Sequence, residues 1–453
     1  MNILVVGCGK IGTTIIESLA AEGHDVTAID NVSAALTEIT DVYDVMGVCG
    51  NGADCDVLEE AGAAAADLFV AVTESDETNM LSCFLARKMG AQHTIARIRN
   101  PEYNDNSLGF MKQHLDLSMA INPDLLAAKE LLNILKFPSA VKVETFSHRN
   151  FEMIELRLKE QSVLDGMALH ELRNKFKATF LVCVVQRGNE VYIPGGNFVL
   201  KSGDKIGVTA APAELQKLLR EMGVLQKKAR SVMILGGSRT AYYLAHLLES
   251  GGNAVTLIEK DPAMAQELSD LLPKTTVVLG DGTQQELLLE EDLISQDALV
   301  ALTGIDEENI LMSIFAASQN VPKVIAKINR DELASLAENL GLDSIVSPRK
   351  IISDVLVRYA RALQNSMGSS VETLYQLMDG KAEALEFLVR NEPDVVGIPL
   401  KSLKTKPNTL IAGIIRDRKT VIPSGEDAIL EGDHVIVLAA NQRLQDLSDI
   451  LMK

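Results

Sequence analysis

The feature that most constrains this chain is that it is written twice. Gly7-Cys8-Gly9-Lys10-Ile11-Gly12 follows the apolar run Ile3-Leu4-Val5-Val6, and Gly236-Gly237-Ser238-Arg239-Thr240-Ala241 follows Val232-Met233-Ile234-Leu235. Asp30 closes the next apolar run and Glu259 closes its counterpart. Gly50-Asn51-Gly52 returns as Gly280-Asp281-Gly282, Asp76 and Asn79 as Asp306 and Asn309, Ile193-Pro194 as Ile422-Pro423, and Gly203-Asp204 as Gly432-Asp433. Matched positions stay about 230 residues apart from the first pair to the last, the signature of a tandem repeat. Two copies of one unit must therefore fold into two copies of one architecture.

Each unit divides into two parts. In the first, apolar runs at 3–6, 24–29, 43–48, 67–72 and 93–98 alternate with helical patterns. That alternation predicts a parallel sheet with helices on both faces, a doubly wound Rossmann-type α/β domain. The runs lack strict in–out alternation, as strands covered on both faces do. Pro123 then opens a helix through Lys136 that Pro138 stops. Strands at Val141–Thr145, Phe151–Leu158, Phe180–Gln186, Glu190–Ile193 and Asp204–Val208, with helices near Ala168–Phe176 and Ala213–Met222, make a small α/β domain. The second unit is expected to repeat this order, with Pro348 opening its helix and Gln226–Arg230 as the only linker-like stretch. The expected divisions are 1–122 and 230–347 for the Rossmann-type domains, 123–140 and 348–370 for connecting helices, and 141–225 and 371–453 for the small domains.

The glycine loop carries the first functional signal. A G-x-G-x-x-G after a strand, opening a helix and followed by an acid at the end of the second strand, is a dinucleotide fingerprint. Gly7, Gly9 and Gly12 give the turn, the approach to pyrophosphate and the close helix–strand packing, and Cys8, Lys10 and Ile11 complete the loop. The helix N-terminus then points free N–H groups at phosphate. Asp30 accepts ribose hydroxyls and repels a 2′-phosphate, which favours NAD(H) or an adenine nucleotide such as ATP or ADP over NADP(H).

Ligands of open α/β sheets lie beyond strand C-termini. That adds Asn51 and Asp54 after the third strand, Thr73 and Glu74 after the fourth, and Arg97 and Arg99 at the fifth. Two readings stand for Asp76, a site residue or the cap of the helix Glu77–Lys88, and two for the arginines, phosphate contacts or salt bridges to a helix. The second copy keeps Gly236, Gly237, Glu259 and Asp281 but has Ser238 and Ala241 at the later glycine positions, with Arg239 and Thr240 between them. Its site binds a different nucleotide, binds more weakly, or is purely structural.

Composition removes several functional classes. The formal net charge of −19 repels nucleic acid and anionic lipid, so neither partner is expected and a membrane role requires a protein anchor. No apolar run is long enough to span a bilayer, and the chain enters a strand at once, which points to the cytoplasm. The five cysteines, Cys8, Cys49, Cys55, Cys83 and Cys183, lack CxxC spacing and are expected to be small buried hydrophobes, with no metal site. None of the seven histidines, His148 and His170 included, falls in a catalytic constellation. A ligand-driven regulator is favoured over an enzyme, with a soluble NAD-dependent oxidoreductase and a scaffold with vestigial sites as the alternatives.

The fingerprint at Gly7–Gly12, Asp30, the Gly-Asn/Asp-Gly motif, the Thr-x-x-Asp-x-x-Asn motif and Ala96–Tyr103 together resemble the RCK (KTN) family of nucleotide-binding domains. The segments Tyr192-Ile193-Pro194 and Val421-Ile422-Pro423 are similar to the companion RCK C-terminal domain. The tandem order resembles the peripheral subunits of Trk-type potassium uptake systems. The resemblance implies a non-enzymatic cytoplasmic regulator, binding NAD(H) or ATP/ADP and docked on a TrkH-like potassium-transporting membrane subunit. It also implies a homotetramer that forms a ring of eight RCK domains, with no direct lipid insertion.

Overall fold

The computed structural model describes residues 1–452 apart from 104, 147–151, 160–161, 226, 366–370, 379, 391–393, 418, 443 and 445. The expectations placed on His148, Phe151 and Gln226 lie outside the described residues.

The first sheet-and-helix layer runs β1 (Asn2–Val6), α1 (Lys10–Ala21), β2 (Asp25–Asp30), α2 (Ser33–Thr40), β3 (Met46–Cys49), α3 (Cys55–Glu60), β4 (Leu68–Ala71), α4 (Asp76–Met89), β5 (His93–Arg97), α5 (Asp105–His114) and β6 (Met119–Ile121). Its six strands are parallel in the order β3-β2-β1-β4-β5-β6. The order reverses between β1 and β4, and the crevice at such a switch point is where a doubly wound sheet binds its ligand. The sixth strand was not expected: three residues between α5 and the Asn122-Pro123 helix start are too short to show a period.

After α6 (Pro123–Lys136) comes a five-stranded antiparallel sheet with two helices: β7 (Lys142–Thr145), β8 (Glu152–Arg157), α7 (Leu169–Lys175), β9 (Leu181–Arg187), β10 (Glu190–Tyr192), β11 (Lys205–Ala210) and α8 (Pro212–Glu221). Its order is β10-β9-β11-β8-β7. Asn122 caps α6 by accepting from Leu125 N–H at 3.0 Å, with Pro123 at the first helical position, where no N–H is needed.

The second copy gives β12 (Ser231–Leu235), α9 (Arg239–Ser250), β13 (Ala254–Glu259), α10 (Pro262–Leu271), β14 (Thr275–Leu279), α11 (Gln285–Glu290), β15 (Ala298–Ala301), α12 (Asp306–Ser318), β16 (Lys323–Lys327), α13 (Asp331–Asn339) and β17 (Ile345–Val346). Then follow α14 (Pro348–Asn365), β18 (Val371–Leu377), β19 (Ala382–Leu388), β20 (Thr409–Arg416), β21 (Lys419–Val421) and β22 (His434–Ala440). Both sheets repeat the strand order of the first copy, as β14-β13-β12-β15-β16-β17 and β18-β19-β22-β20-β21. Among the described residues, the helices of the small domain do not repeat. Short 3-10 turns at Leu400–Ser402 and Leu447–Ile450 stand where α7 and α8 are expected, the first led by Pro399 and the second capped by Asp446.

The two copies are interlocked. Helix α6 leaves the first Rossmann sheet and packs into the second: buried Ala127, Ala128, Leu131, Ile134 and Leu135 share a core with Val232, Ile234, Leu244 and Val300. Helix α14 makes the return exchange, placing Ile352, Leu356, Val357 and Ala360 among Ile3, Val5, Ile15 and Leu19. The Arg361 guanidinium fastens α14 by a fork of hydrogen bonds to Glu22 at 2.6 and 2.7 Å, and it also reaches Glu383 at 2.9 Å. Such charge-assisted pairs fix geometry as well as adding energy. The two small sheets share a further core, with Met153, Cys183 and Val184 against Leu377, Ala384 and Leu438.

The cysteine expectation is corrected in part. Cys8, Cys83 and Cys183 are buried, but Cys49 and Cys55 are exposed, at the end of edge strand β3 and the start of α3. No helix among the described residues is long and apolar enough to cross a membrane.

Leu356 lies in the second copy but its side chain belongs to the first Rossmann core. Leu356→Ala is expected to cost about 2–5 kcal/mol. Hydrogen exchange should then show β1 and β4 amides losing protection; loss confined to β12 and β15 would contradict the exchanged packing.

Candidate nucleotide sites

In the first copy the fingerprint loop sits at the switch point between β1 and β4. Gly7 has φ +97°, and a Cβ there would meet Thr73 N at 2.9 Å, so the loop turns directly against the end of β4. A Cβ on Gly12 would lie 1.8 Å from Gly7 O, which makes glycine obligatory where α1 crosses the loop. Around Gly9 there is open space, with nothing within 4 Å of a Cβ position. Gly9 is the N-cap of α1, and no side chain caps the helix. The helix start thus has no side-chain cap beside the open space at Gly9, the arrangement that suits an anion.

Asp30 supports the loop from β2. Its Oδ2 accepts from Cys8 N–H at 2.6 Å and its Oδ1 from Val32 N–H at 2.9 Å. A carboxylate has about four acceptor directions, so two remain for ribose hydroxyls. Burial, with Asp30 adding to it, pushes the Cys8 thiol up to about 12, so Cys8 is an inert packing group.

The later strand ends are tied to one another. Asn79 Oδ1 accepts from Thr73 N–H at 2.8 Å and from its hydroxyl at 2.7 Å, and Asn79 Nδ2 donates to Arg97 O at 2.9 Å, clamping β4 to β5. Asp76 is not the cap of α4. Ser75 is, accepting from Thr78 N–H at 3.1 Å, while Asp76 Oδ2 accepts from Arg99 and Asn100 N–H, both at 2.8 Å. Arg97 is buried and donates to Thr73 O; Arg99 donates to Glu74 O at 2.8 Å. Arg99 Nε also pairs with Asp76, the first residue of α4, at 4.0 Å, whereas Arg97 has no ion pair to a helix among the described residues. Burial, with Arg99 adding to it, holds Arg97 down at about 10 against the pull of Asp76, Asp124 and Glu74. Glu74 is exposed. Asn51 and Asp54 make local turns, accepting from Ala53 and Asp56 N–H at 3.0 and 2.8 Å, and Asp54 caps α3.

The second copy has a cavity of about 390 Å³ at the matching place, lined by Gly236, Gly237, Ser238, Glu259 and Asp281 together with Asp261, Thr303 and Glu308. Asp281 is held below the usual carboxylate range by the backbone N–H and hydroxyl of Thr283. Ser238 caps α9, its Oγ accepting from Ala241 N–H at 3.3 Å, so it occupies a helix N–H that stays open in the first copy. Two expected site residues are elsewhere. Thr240 is buried and donates to Asp124 Oδ1 at 2.8 Å, and Arg239 is exposed on the first turn of α9 outside the cavity lining.

The loop and its acid differ between copies as a matched pair. Glu259 accepts from Gly237 N–H as Asp30 does from Cys8. Glu259 and Leu268 together fill the space a side chain would need: a Cβ on Gly237 would lie 2.6 Å from Leu268 Cδ1, 2.8 Å from Glu259 Oε2 and 3.1 Å from its Cγ. The long acid takes glycine and the short acid takes cysteine.

The sites also touch across the repeat through residues that carry no motif. Tyr243, on α9, donates to Arg99 O at 2.9 Å, and Asn122 Nδ2 donates to Tyr243 Oη at 3.0 Å. A tyrosine inside a helix has no sequence signal that marks it as a bridge; only the exchanged position of α6 brings it there.

A family model for the TrkA-N domain matches residues 3–116 and 232–348, and one for the TrkA-C domain matches 153–223 and 384–452. The chain belongs to the TrkA family. A Trk system potassium uptake protein TrkA homolog of Archaeoglobus fulgidus is 32% identical over 99% of this chain and 100% of its own length. The Trk system potassium uptake protein TrkA of Vibrio alginolyticus is 31% identical over 98% of this chain and 96% of its own. In fold, this TrkA-family chain is similar to the GsuK channel, with TM-score 0.63 and 17% identity over 97% of this chain and 77% of that one. It is also similar to the GsuK channel bound to NAD, with TM-score 0.62 and 17% identity over 97% and 77%.

Gly237→Ala is expected to destabilise the second loop, and adding Glu259→Asp is expected to restore much of the loss. A double-mutant cycle on thermal unfolding measures it: coupling of about 0.5–3 kcal/mol is the range for groups in contact, and strict additivity would contradict the matched pair.

Proposed function

We propose that the chain is the cytoplasmic regulatory subunit of a potassium uptake system, binding NAD(H) at the first loop and controlling a potassium-transporting membrane partner. The observation that carries the reading is the first fingerprint loop, an uncapped helix start facing open space beside Asp30, in a chain of the TrkA family. Gly7, Gly9, Gly12 and Asp30 would hold the cofactor, with the Thr73 end of β4 beside them. The second loop, with Ser238 occupying a helix N–H and Glu259 set further forward, supports a nucleotide with fewer phosphate contacts, ATP or ADP among them. Binding is the whole of the chemistry in this reading, and the protein is not an enzyme. A nucleotide preferred by one arrangement of the interlocked halves shifts the population by its differential affinity alone.

The partner is a TrkH-like membrane subunit, met by a homotetramer whose eight Rossmann domains close a ring. Matched exposed leucines support self-assembly: Leu81 on α4 and Leu311 on α12 are 49% and 61% exposed at corresponding positions, and Phe110 on α5 is 64% exposed. Large apolar side chains left in water at equivalent sites are what an interface covers.

Calorimetric titration of NADH, ATP and ADP tests the ligand assignment. Asp30→Ala is expected to weaken NADH at least about tenfold, or about 1.4 kcal/mol, while Glu259→Ala leaves NADH unchanged; unaltered affinity for every ligand in Asp30→Ala would remove Asp30 from the site. Light scattering tests assembly: the double substitution Leu81→Glu with Leu311→Glu should lower the mass from a tetramer, and an unchanged mass would exclude this surface.

A further inference from the structure

A second cavity lies well away from both glycine loops. It measures about 690 Å³ and is walled on one side by the first small domain, through the α6–β7 connection, the end of β8 and the end of α8. The other wall is the second Rossmann domain, through the α12–β16 turn and the approach to β17. It shares no lining residue with the cavity at Gly236. Its size falls within the roughly 300–1,000 Å³ of small-molecule pockets.

Its charged groups are mostly cationic. Three basic side chains line it, Arg157, Lys159 and Lys323, against one acid, Asp343, in a chain whose net charge is −19. Lys323 is only 7% exposed. Its ammonium donates to Pro138 O at 3.0 Å and Ala140 O at 2.8 Å. An ammonium has three donors, and the third has no partner among the described residues. Ser344, 1% exposed, also borders the cavity, with its hydroxyl buried behind the wall. Arg157 is taken up by Asp343 at 3.0 Å and by Glu338 at 3.2 Å, which leaves Lys159 and Lys323 as the cations open to an occupant. Burial holds Lys323 down at about 8, with Asp343 opposing and Lys159 lowering it further, and an incoming anion would favour the charged form. Leu156, Val163, Met222 and Val321 supply apolar walls.

The cations are not part of the repeated architecture. Arg157 faces Lys205 across β8 and β11, and in the matching β19–β22 register Leu388 faces His434. Lys323 opens β16, and His93, which opens β5, has its ring against Tyr359. If the cations served only the packing of small domain on Rossmann domain, the other copy would need them too.

We propose that this interdomain cavity binds a small organic anion, one phosphate or carboxylate on an apolar body, with Lys323 at the head group and Lys159 at the rim. Because its two walls belong to different domains, an occupant fixes their relative orientation. The site is independent of the nucleotide reading, and its test does not use the nucleotide loops.

Calorimetry on the full chain uses three probes with one ring and different heads: phenyl phosphate, benzoate and benzyl alcohol. Saturable binding of phenyl phosphate or benzoate is expected, at least about tenfold tighter than the neutral alcohol, and the tighter anion identifies the head group. Lys323→Met should weaken that anion about tenfold and Lys159→Ala about threefold, both keeping the wild-type circular dichroism spectrum. If Lys323→Met fails to fold, the exposed Lys159 still decides. No saturation by either anion at about 10 mM, a range already weaker than ordinary specific binding, or equal binding by the variants, overturns the site.

Discussion

The structure depends on an exchange of two helices. Each Rossmann sheet is finished by the connecting helix of the other copy, α6 on the second and α14 on the first. A buried leucine contributes about 1.5–3 kcal/mol relative to exposure, and Leu131 and Leu356 both sit at zero exposure in the opposite copy's core. Neither half can bury its apolar surface alone. Arg361, bonded to Glu22 and Glu383, adds a directional lock to what packing alone would leave free to slide. The contacts between sites follow from the same exchange: Asn122 and Asp124 reach Tyr243 and Thr240 only because α6 crosses over.

Much of the architecture was legible because the repeat could be checked against itself. Two weak glycine motifs at matched positions constrain each other, and alternating strand and helix runs fix the parallel sheets. What escaped has physical reasons. β6 and β17 are three and two residues long, too short for any periodicity. The helices missing from the second small domain are a local difference that strand patterns do not record. The exchange of α6 and α14 is invisible because an amphipathic helix shows that it has an apolar face, not which core takes it.

The sites were legible in part. The loop glycines and both acids could be named because each has a fixed mechanical task, and Gly12 and Gly237 show how tight that task is. Asp76 allows a site role or a helix cap, and Arg97 and Arg99 a phosphate contact or a salt bridge to a helix; the structure ties all three to strand-end backbone groups, and Arg99 also pairs with Asp76 on α4 at 4.0 Å. Thr240 was drawn in by adjacency in sequence, although the helix turns its side chain toward Asp124. The difference between the copies is best described as two solutions to one steric problem. Cysteine with aspartate and glycine with glutamate each satisfy the loop N–H, whereas either residue changed alone leaves a collision or a gap.

The exchange also has a consequence for how the chain is made. Synthesis runs from the N-terminus at about 5–20 residues per second. The first Rossmann sheet is complete in sequence at Ile121, yet the helix that covers Ile3 and Val5 begins at Pro348. For roughly 10–50 s at those rates, the nascent sheet must wait with one apolar flank open. The first half of the protein is therefore matured by the last, and the ribosome-bound intermediate is the form of this chain most exposed to aggregation and most in need of a chaperone.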